Sequence, residues 1–198
     1  MKASDGLIRI LKDTGVNTIF TLSGNQIMPI FDACLDENIR IVHVRHEAAA
    51  LYMAEAHARM TGGLGVAMVT AGAGLCNAIA PLFTASQSQT PMLLLSGDSE
   101  ASLDNKGSFQ EMDQVQITRA VTKYSQRICE TGHLVEYTCA AIAAARTGIP
   151  GPAHLALAAD VLTSDLDDMP RAEQQDAAIK TEPTPPSSRL AATVAAAK

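Results

Sequence analysis

The chain lacks an excess of positive charge, paired cysteines and any long apolar run, and each absence closes off a class of function. With 15 lysines and arginines against 21 aspartates and glutamates, the formal charge is −6. No basic face is therefore offered to nucleic acid or to an anionic membrane, and neither is expected as a partner. Cys34, Cys76, Cys129 and Cys139 are scattered without a Cys-x-x-Cys pair. That pattern suits reduced, buried thiols in a cytoplasmic protein. No apolar run approaches a signal core or a membrane span, and the N-terminal MKASDGLIRILKDTG mixes charged and apolar residues at helical spacing. The five histidines show no ligand spacing, so no metal is assigned to this chain.

What is present is ample core material: 47% of the 198 residues are hydrophobic, enough for one substantial domain with a tail. Leu7, Ile8, Ile10 and Leu11 give a first helix a buried stripe that Gly15 ends, and Thr18 to Leu22 reads as a strand. Pro29 opens a helix carrying Ile30, Phe31, Cys34 and Leu35. Ile39 to Val44 reads as a second strand, Glu47 to Thr61 as a helix, and Gly65 to Thr70 as a third strand running into a glycine-rich turn. Leu75 to about Ser88 is helical again. Met92 to Ser96 is almost wholly apolar, as in a parallel strand covered on both faces, which puts it in the middle of the sheet. Gly97 to about Ser125 reads as a polar loop and a place for substrate contacts. An alanine-rich helix near Leu134 to Arg146 and a last strand near Ala153 to Ala158 follow. Strands alternating with helices predict an α/β fold: a doubly wound, mostly parallel sheet with helices on both faces and ligands at the carboxyl ends of the strands.

The domain so defined spans 1–165. Over 166–198 the composition turns to Asp, Pro, Gln, Ser and Thr, including TEPTPPSS at 181–188. This irregular C-terminal tail reads as a linker leading into the truncated start of a central domain, the helix-prone LAATVAAAK.

Two motif readings fail on single residues. His46-Glu47 begins a zinc-protease motif, but Ala50 stands where the second histidine belongs. Gly72-Ala73-Gly74 follows a strand and opens a helix like a dinucleotide fingerprint, with Asp98 downstream, but Asn77 occupies the third-glycine position. A lone glutamate in a helix's first turn is explained by the macrodipole, and glycines in a tight turn by the turn itself.

The motifs taken together say more. Thr21-Leu22-Ser23-Gly24-Asn25-Gln26-Ile27-Met28-Pro29, Arg45-His46-Glu47-Ala48-Ala49-Ala50 and Thr70-Ala71-Gly72-Ala73-Gly74-Leu75-Cys76-Asn77 run in order. Pro91 to Asp98, Gly107-Ser108-Phe109-Gln110-Glu111-Met112-Asp113 and Gly151-Pro152-Ala153-His154-Leu155 follow them. In order and spacing this set resembles the aminopyrimidine-binding domain of acetolactate synthase-like thiamine diphosphate (ThDP) enzymes.

That resemblance implies that Glu47 is the catalytic carboxylate. It would hydrogen-bond N1′ of the aminopyrimidine and favour the imino tautomer, whose 4′-nitrogen takes the proton from thiazolium C2. Such a carboxyl must be shielded enough to share a proton near neutral pH. The resemblance further implies that Thr70, Ala73 and Asn77 line the pyrimidine pocket, that Gly24 and Asn25 approach the reacting centre, and that Phe109 and Gln110 face the intermediate. Two departures bear on the substrate: the family usually has paired glycines at Gly24-Asn25 and proline at Ala73. The Phe109-Gln110-Glu111 pattern, without the paired histidines of pyruvate decarboxylases, favours carbon–carbon bond formation.

The Gly-Asp-Gly and downstream asparagines that hold magnesium and diphosphate in the family have no counterpart. Gly97-Asp98-Ser99 with Asp104-Asn105 imitates them poorly. Magnesium is therefore expected only through a missing domain, and the sequence says nothing about flavin. The expected partner is a diphosphate-binding domain, from a partner chain or a missing C-terminal region, in a homo-oligomer, with this chain catalytically silent alone. The resemblance also admits the pyrimidine-domain subunit of a split decarboxylase, like the two-subunit sulfopyruvate decarboxylases. A non-catalytic module pairing with full-length relatives is the third reading. Because the family's cofactor lies between this domain and the diphosphate domain of another subunit, the resemblance implies an apolar, partner-seeking face around Glu47, Asn77 and Phe109.

Overall fold

A computed structural model describes residues 1–166. The linker and central-domain readings for the tail therefore fall, apart from Leu166, outside the described residues. The elements in chain order are α1 (Ala3–Asp13), β1 (Thr18–Thr21), α2 (Met28–Asp36), β2 (Arg40–His43), α3 (Glu47–Thr61), β3 (Gly65–Val69) and α4 (Ala73–Gln87). They continue with β4 (Met92–Asp98), α5 (Gln114–Arg119), β5 (Tyr124–Ile128), α6 (Leu134–Arg146), β6 (Pro152–Ala158) and α7 (Ala159–Thr163). The strands form one sheet of order β2-β1-β3-β4-β6-β5, with every neighbouring pair parallel. The doubly wound α/β fold read from the sequence is the fold observed.

Alternation along the strands splits the core into two layers. Ile19, Val66, Met68, Leu93, Leu95 and Leu155 pack with α1, α2 and α6 on one face. Phe20, Ala67, Val69, Met92 and Leu94 pack with α3 and α4 on the other. β3, β4 and β6 are buried along their whole length, and β4 is central as its apolar run requires. β1 lies between β2 and β3, so the chain leaves it in opposite directions. The β1/β3 crevice is therefore the switch point, outside whose carboxyl ends ligands bind in such sheets.

Two sequence expectations are corrected. The stretch read as one loop from Gly97 to Ser125 contains the last two residues of β4, all of α5 and the start of edge strand β5. The thiols are not all buried: Cys34 and Cys139 are, but Cys76 and Cys129 are exposed. Apolar residues surround α4 on every side, so its periodicity did not reveal that Cys76 faces outward. Burial pushes the Cys34 thiol up to about 12, leaving it inert.

α5 is held by a buried polar network rather than by an apolar stripe. His154 on β6 is fully buried; its Nε2 pairs with Ser96 Oγ at 2.7 Å and its Nδ1 lies 2.9 Å from both Thr118 Oγ1 and Ser125 Oγ. Gln114 Nε2 donates to the Gly97 carbonyl at 2.8 Å. Burial lowers the His154 pKa to about 3, whereas the unfolded chain takes up a proton near 6.5. Between these values the unfolded state binds more protons, so stability falls as pH drops from about 6.5 toward 3. Urea denaturation midpoints measured across that range should fall steeply for the parent and less steeply for His154→Gln; parallel profiles would show that His154 does not set the acid limb.

Candidate functional site

Three chain segments meet at the carboxyl end of the β1/β3 crevice. Glu47 is the first residue of α3, and His46 caps the helix by accepting the Ala48 N–H at Nδ1, 3.1 Å away. The cap fixes where α3 starts and so aims Glu47 across the strand ends. Its side chain is 8% exposed and sits at the positive end of the α3 dipole. Asn77, one turn into α4, donates from Nδ2 to Glu47 Oε2 at 2.9 Å. Glu47 Oε1 takes no hydrogen bond among the described residues.

The wall beside Oε1 is made of small residues. A Cβ at Gly74 would stand 2.9 Å from Thr70 Cγ2 and 3.5 Å from Glu47 Oε1. Only glycine keeps that approach open. Gly24 packs so closely on Thr70 that any Cβ there would overlap its side chain. Ala73 and Asn77 are exposed on α4 at the edge of the Glu47 cleft, and Asn25, also exposed, follows Gly24 in the chain. Of the residues the sequence proposed, Glu47, Asn77, Thr70 and Gly24 are therefore brought together, whereas Ala73 and Asn25 only adjoin Gly74 and Gly24 in the chain.

Gln110 joins them from the long loop. Its Cα and Cβ lie over Gly72, where a Cβ would come within 2.8 Å of Gln110 Cβ, and its Oε1 accepts from Gln26 Nε2 at 3.1 Å. Phe109, next to it, is 81% exposed. Gln26, which bonds both Thr70 and Gln110, is a site residue that sequence reasoning missed. It lay inside the Thr21 to Pro29 motif, but nothing in its spacing told of partners 44 and 84 residues away.

Asp98 and Asp104, the poor imitation of a magnesium motif, are turned to another use. Arg127 on β5 donates from Nε to Asp98 Oδ2 at 2.6 Å and from Nη1 and Nη2 to Asp104 at 2.6 and 2.8 Å. The guanidinium holds the Asp104 carboxyl below the usual range. These groups line a cleft of about 450 Å³ with Glu111, Asp113 and Gln114.

The donor set suits one half of a nitrogen heterocycle site: a buried carboxyl with one oxygen steadied by an amide and the other free, facing a glycine wall. The outward faces of the helices beside it carry large apolar side chains. Tyr52 and Met53 on α3 and Phe83 on α4 are each about half exposed, and the 15 residues of α4 include no charged side chain. Among the described residues no helix is long and apolar enough to cross a membrane.

Comparison with known proteins gives the same picture. The family model described as "Thiamine pyrophosphate enzyme, N-terminal TPP binding domain" matches residues 1–117. The chain is 40% identical over 158 residues to the human protein named 2-hydroxyacyl-CoA lyase 2, covering 80% of this chain and 25% of that protein. It is 38% identical over 159 residues to the catabolic acetolactate synthase of Raoultella terrigena, with coverage of 80% and 28%. With the acetolactate synthase large subunit of Lactococcus lactis it shares 36% over 161 residues, with coverage of 81% and 28%. The chain thus spans about a quarter of the length of the relatives it matches.

Proposed function

Since the chain belongs to the thiamine pyrophosphate enzymes through their N-terminal TPP-binding domain, we propose that it supplies the aminopyrimidine half of a shared ThDP site in an acetolactate synthase-like enzyme acting on 2-oxo acids. The observation that carries this reading is the Glu47 carboxyl, with Oε2 fixed by Asn77 and Oε1 open beside Gly74. When bound, ThDP supplies the stabilised carbanion chemistry that side chains lack. Glu47 Oε1 would share a proton with a pyrimidine ring nitrogen, and Asn77 would keep the carboxyl plane turned toward it. Thr70, Ala73 and Gly74 would bound the ring, while Gly24 and Asn25 border the reacting centre. Gln110 would meet the substrate, and Phe109 would be pressed in from its exposed loop once a partner covers it.

The diphosphate and magnesium would be held elsewhere, by a diphosphate-binding domain of a partner chain or of further sequence. The match to a family model of the N-terminal TPP binding domain supports that division. A lyase direction, breaking rather than making the carbon–carbon bond, is a second reading, favoured by the relatives named 2-hydroxyacyl-CoA lyase 2. Four free thiols suit a reducing, cytoplasmic setting.

The test is calorimetric titration of ThDP with magnesium into the chain alone and into its mixture with a separately expressed diphosphate-binding domain. Binding and 2-oxo acid turnover only in the mixture support the half-site. Turnover by the chain alone refutes the division, and no binding in either case favours a non-catalytic interaction module.

The apolar face of α3 and α4 would be the seam between copies. Sedimentation velocity across concentration should show self-association of the parent chain that Met53→Glu/Phe83→Glu weakens by about tenfold or more, since each substitution puts a charge into an apolar contact. A chain that stays monomeric at every concentration removes the homo-oligomer from this reading.

A further inference from the structure

Three side chains link the ends of β1 and β3 to the long loop. Thr70 Oγ1 donates a short hydrogen bond to Gln26 Oε1, and Gln26 Nε2 donates to Gln110 Oε1 at 3.1 Å. A carboxamide has one oxygen, which accepts, and one nitrogen, which donates, so the way Gln26 is turned fixes the way Gln110 is turned. With its oxygen taken by Thr70, Gln26 turns its nitrogen to Gln110. With its oxygen taken by Gln26, Gln110 turns its own nitrogen away. Among the described residues nothing accepts from Gln110 Nε2.

The chain of amides is held by close packing. A Cβ at Gly97 would stand 2.6 Å from Gln26 Cβ, and one at Gly72 would stand 2.8 Å from Gln110 Cβ, so each glutamine is seated against a backbone where no side chain fits. Gln110 also has a φ of 64°, in the left-handed region that non-glycine residues occupy only when their surroundings enforce it. Gln26, Thr70 and Gln110 are all half-buried, so the trio lies at the edge of the Glu47 site rather than in the core.

We propose that Gln26 is a positioning residue that turns the Gln110 carboxamide donor-first into the cleft, so that the site reads a hydrogen-bond-accepting oxygen beside the reacting carbonyl of its substrate. The polarity of Gln110 follows from this chain's own geometry; the identity of the acceptor as a 2-oxo acid oxygen rests on the function proposed above. A site built to donate a hydrogen bond discriminates against substrates lacking the acceptor, because the donor, once a partner domain covers it, is then left unpaired.

The isosteric change Gln26→Glu reverses the chain. A carboxylate accepts from Thr70 and from Gln110 alike, which draws Gln110 Nε2 inward and leaves Gln110 Oε1 facing the cleft. Two measurements test this. On the chain itself, nitrogen-15 NMR of the side-chain amides should show the Gln26 Nε2 protons protected from exchange and those of Gln110 exchanging freely. Gln26→Glu should make the Gln110 protons the protected pair. In the mixture with the diphosphate-binding domain, with pyruvate as probe, Gln26→Glu should raise KM about tenfold or more with a smaller change in kcat. Gln110→Leu should give the same loss, and the double variant should be no worse than either. A purely structural role for Gln26 would lower stability without reversing the protection pattern.

Protected Gln110 Nε2 protons in the parent chain overturn the proposal, as does an unchanged KM for Gln26→Glu in an active mixture. If the mixture shows no turnover at all, the functional reading fails while the NMR comparison still decides the role of Gln26.

Discussion

Glu47→Gln should remove 2-oxo acid turnover in the reconstituted assembly by a factor of about 10²–10⁴, the range expected when a positioned acid–base group is lost. The substitution keeps the shape of the side chain. The amide oxygen can still accept from Asn77 Nδ2, so the geometry at Oε2 survives. At the open position the free carboxyl oxygen is replaced by a nitrogen that donates and takes up no proton. Cofactor affinity should change much less than turnover, because the wall formed by Thr70 and Gly74 is untouched. The fold should barely notice: the helix loses one favourable charge at its N-terminus, worth about 0.3–1 kcal/mol at such positions. Thermal melts paired with single-turnover kinetics separate these effects. A variant that folds, binds ThDP in the mixture and keeps more than about a tenth of the parent rate would exclude Glu47 as the acid–base group.

The sheet and the placement of Glu47 were legible because both follow from short-range rules. The helix α3 runs from Glu47 to Thr61, as read, since His46 caps its start and Gly62, at a φ of 70°, closes its end. β3 and the first four residues of β4 are continuous apolar runs, which fixes both as interior parallel strands. α5 and β5 escaped because neither has a local signature. Gln114–Arg119 is six residues long, and Tyr124–Ile128 carries Ser, Gln and Arg. Their order comes from tertiary bonds to Gly97 and His154 instead. The role of Gln26 was hidden for the same reason, since sequence patterns register neighbours at helical or strand spacing and a side-chain amide that bridges two distant loops leaves no period. Chemistry that hangs on one capped helix start was readable; chemistry that hangs on a tertiary relay was not.

The largest expected stability change lies away from Glu47, at Arg127. Its guanidinium makes a fork on Asp104 and a single bond to Asp98, a residue only 2% exposed, whose other carboxylate oxygen receives one backbone N–H, that of Ser99 at 2.8 Å. Arg127→Met strands the Asp98 charge in the interior with that one donor. Removing one partner of a fully buried pair typically costs about 3–5 kcal/mol; with the Arg127 side chain a quarter exposed the loss should lie toward the lower end, still a large share of the about 5–15 kcal/mol that holds a domain folded. Arg127→Met/Asp98→Asn should recover most of the loss, because the stranded charge, not the missing bond, carries the penalty. The acid limb adds a sign. Arg127 holds the Asp104 carboxyl below its unfolded value, so that contribution is present above the unfolded carboxylate pKa and is lost as pH falls through the lower folded one. In Arg127→Met that part of the acid sensitivity should disappear. The functional consequence follows from the loop: Asp104 is tied to Arg127, and Glu111 accepts from the Asn105 and Ser108 backbones. Phe109 and Gln110 are carried between these two anchors. Chemical denaturation of the single and double variants decides the case: a single variant within about 1 kcal/mol of the parent would mean that Asp98 finds water when Arg127 is gone.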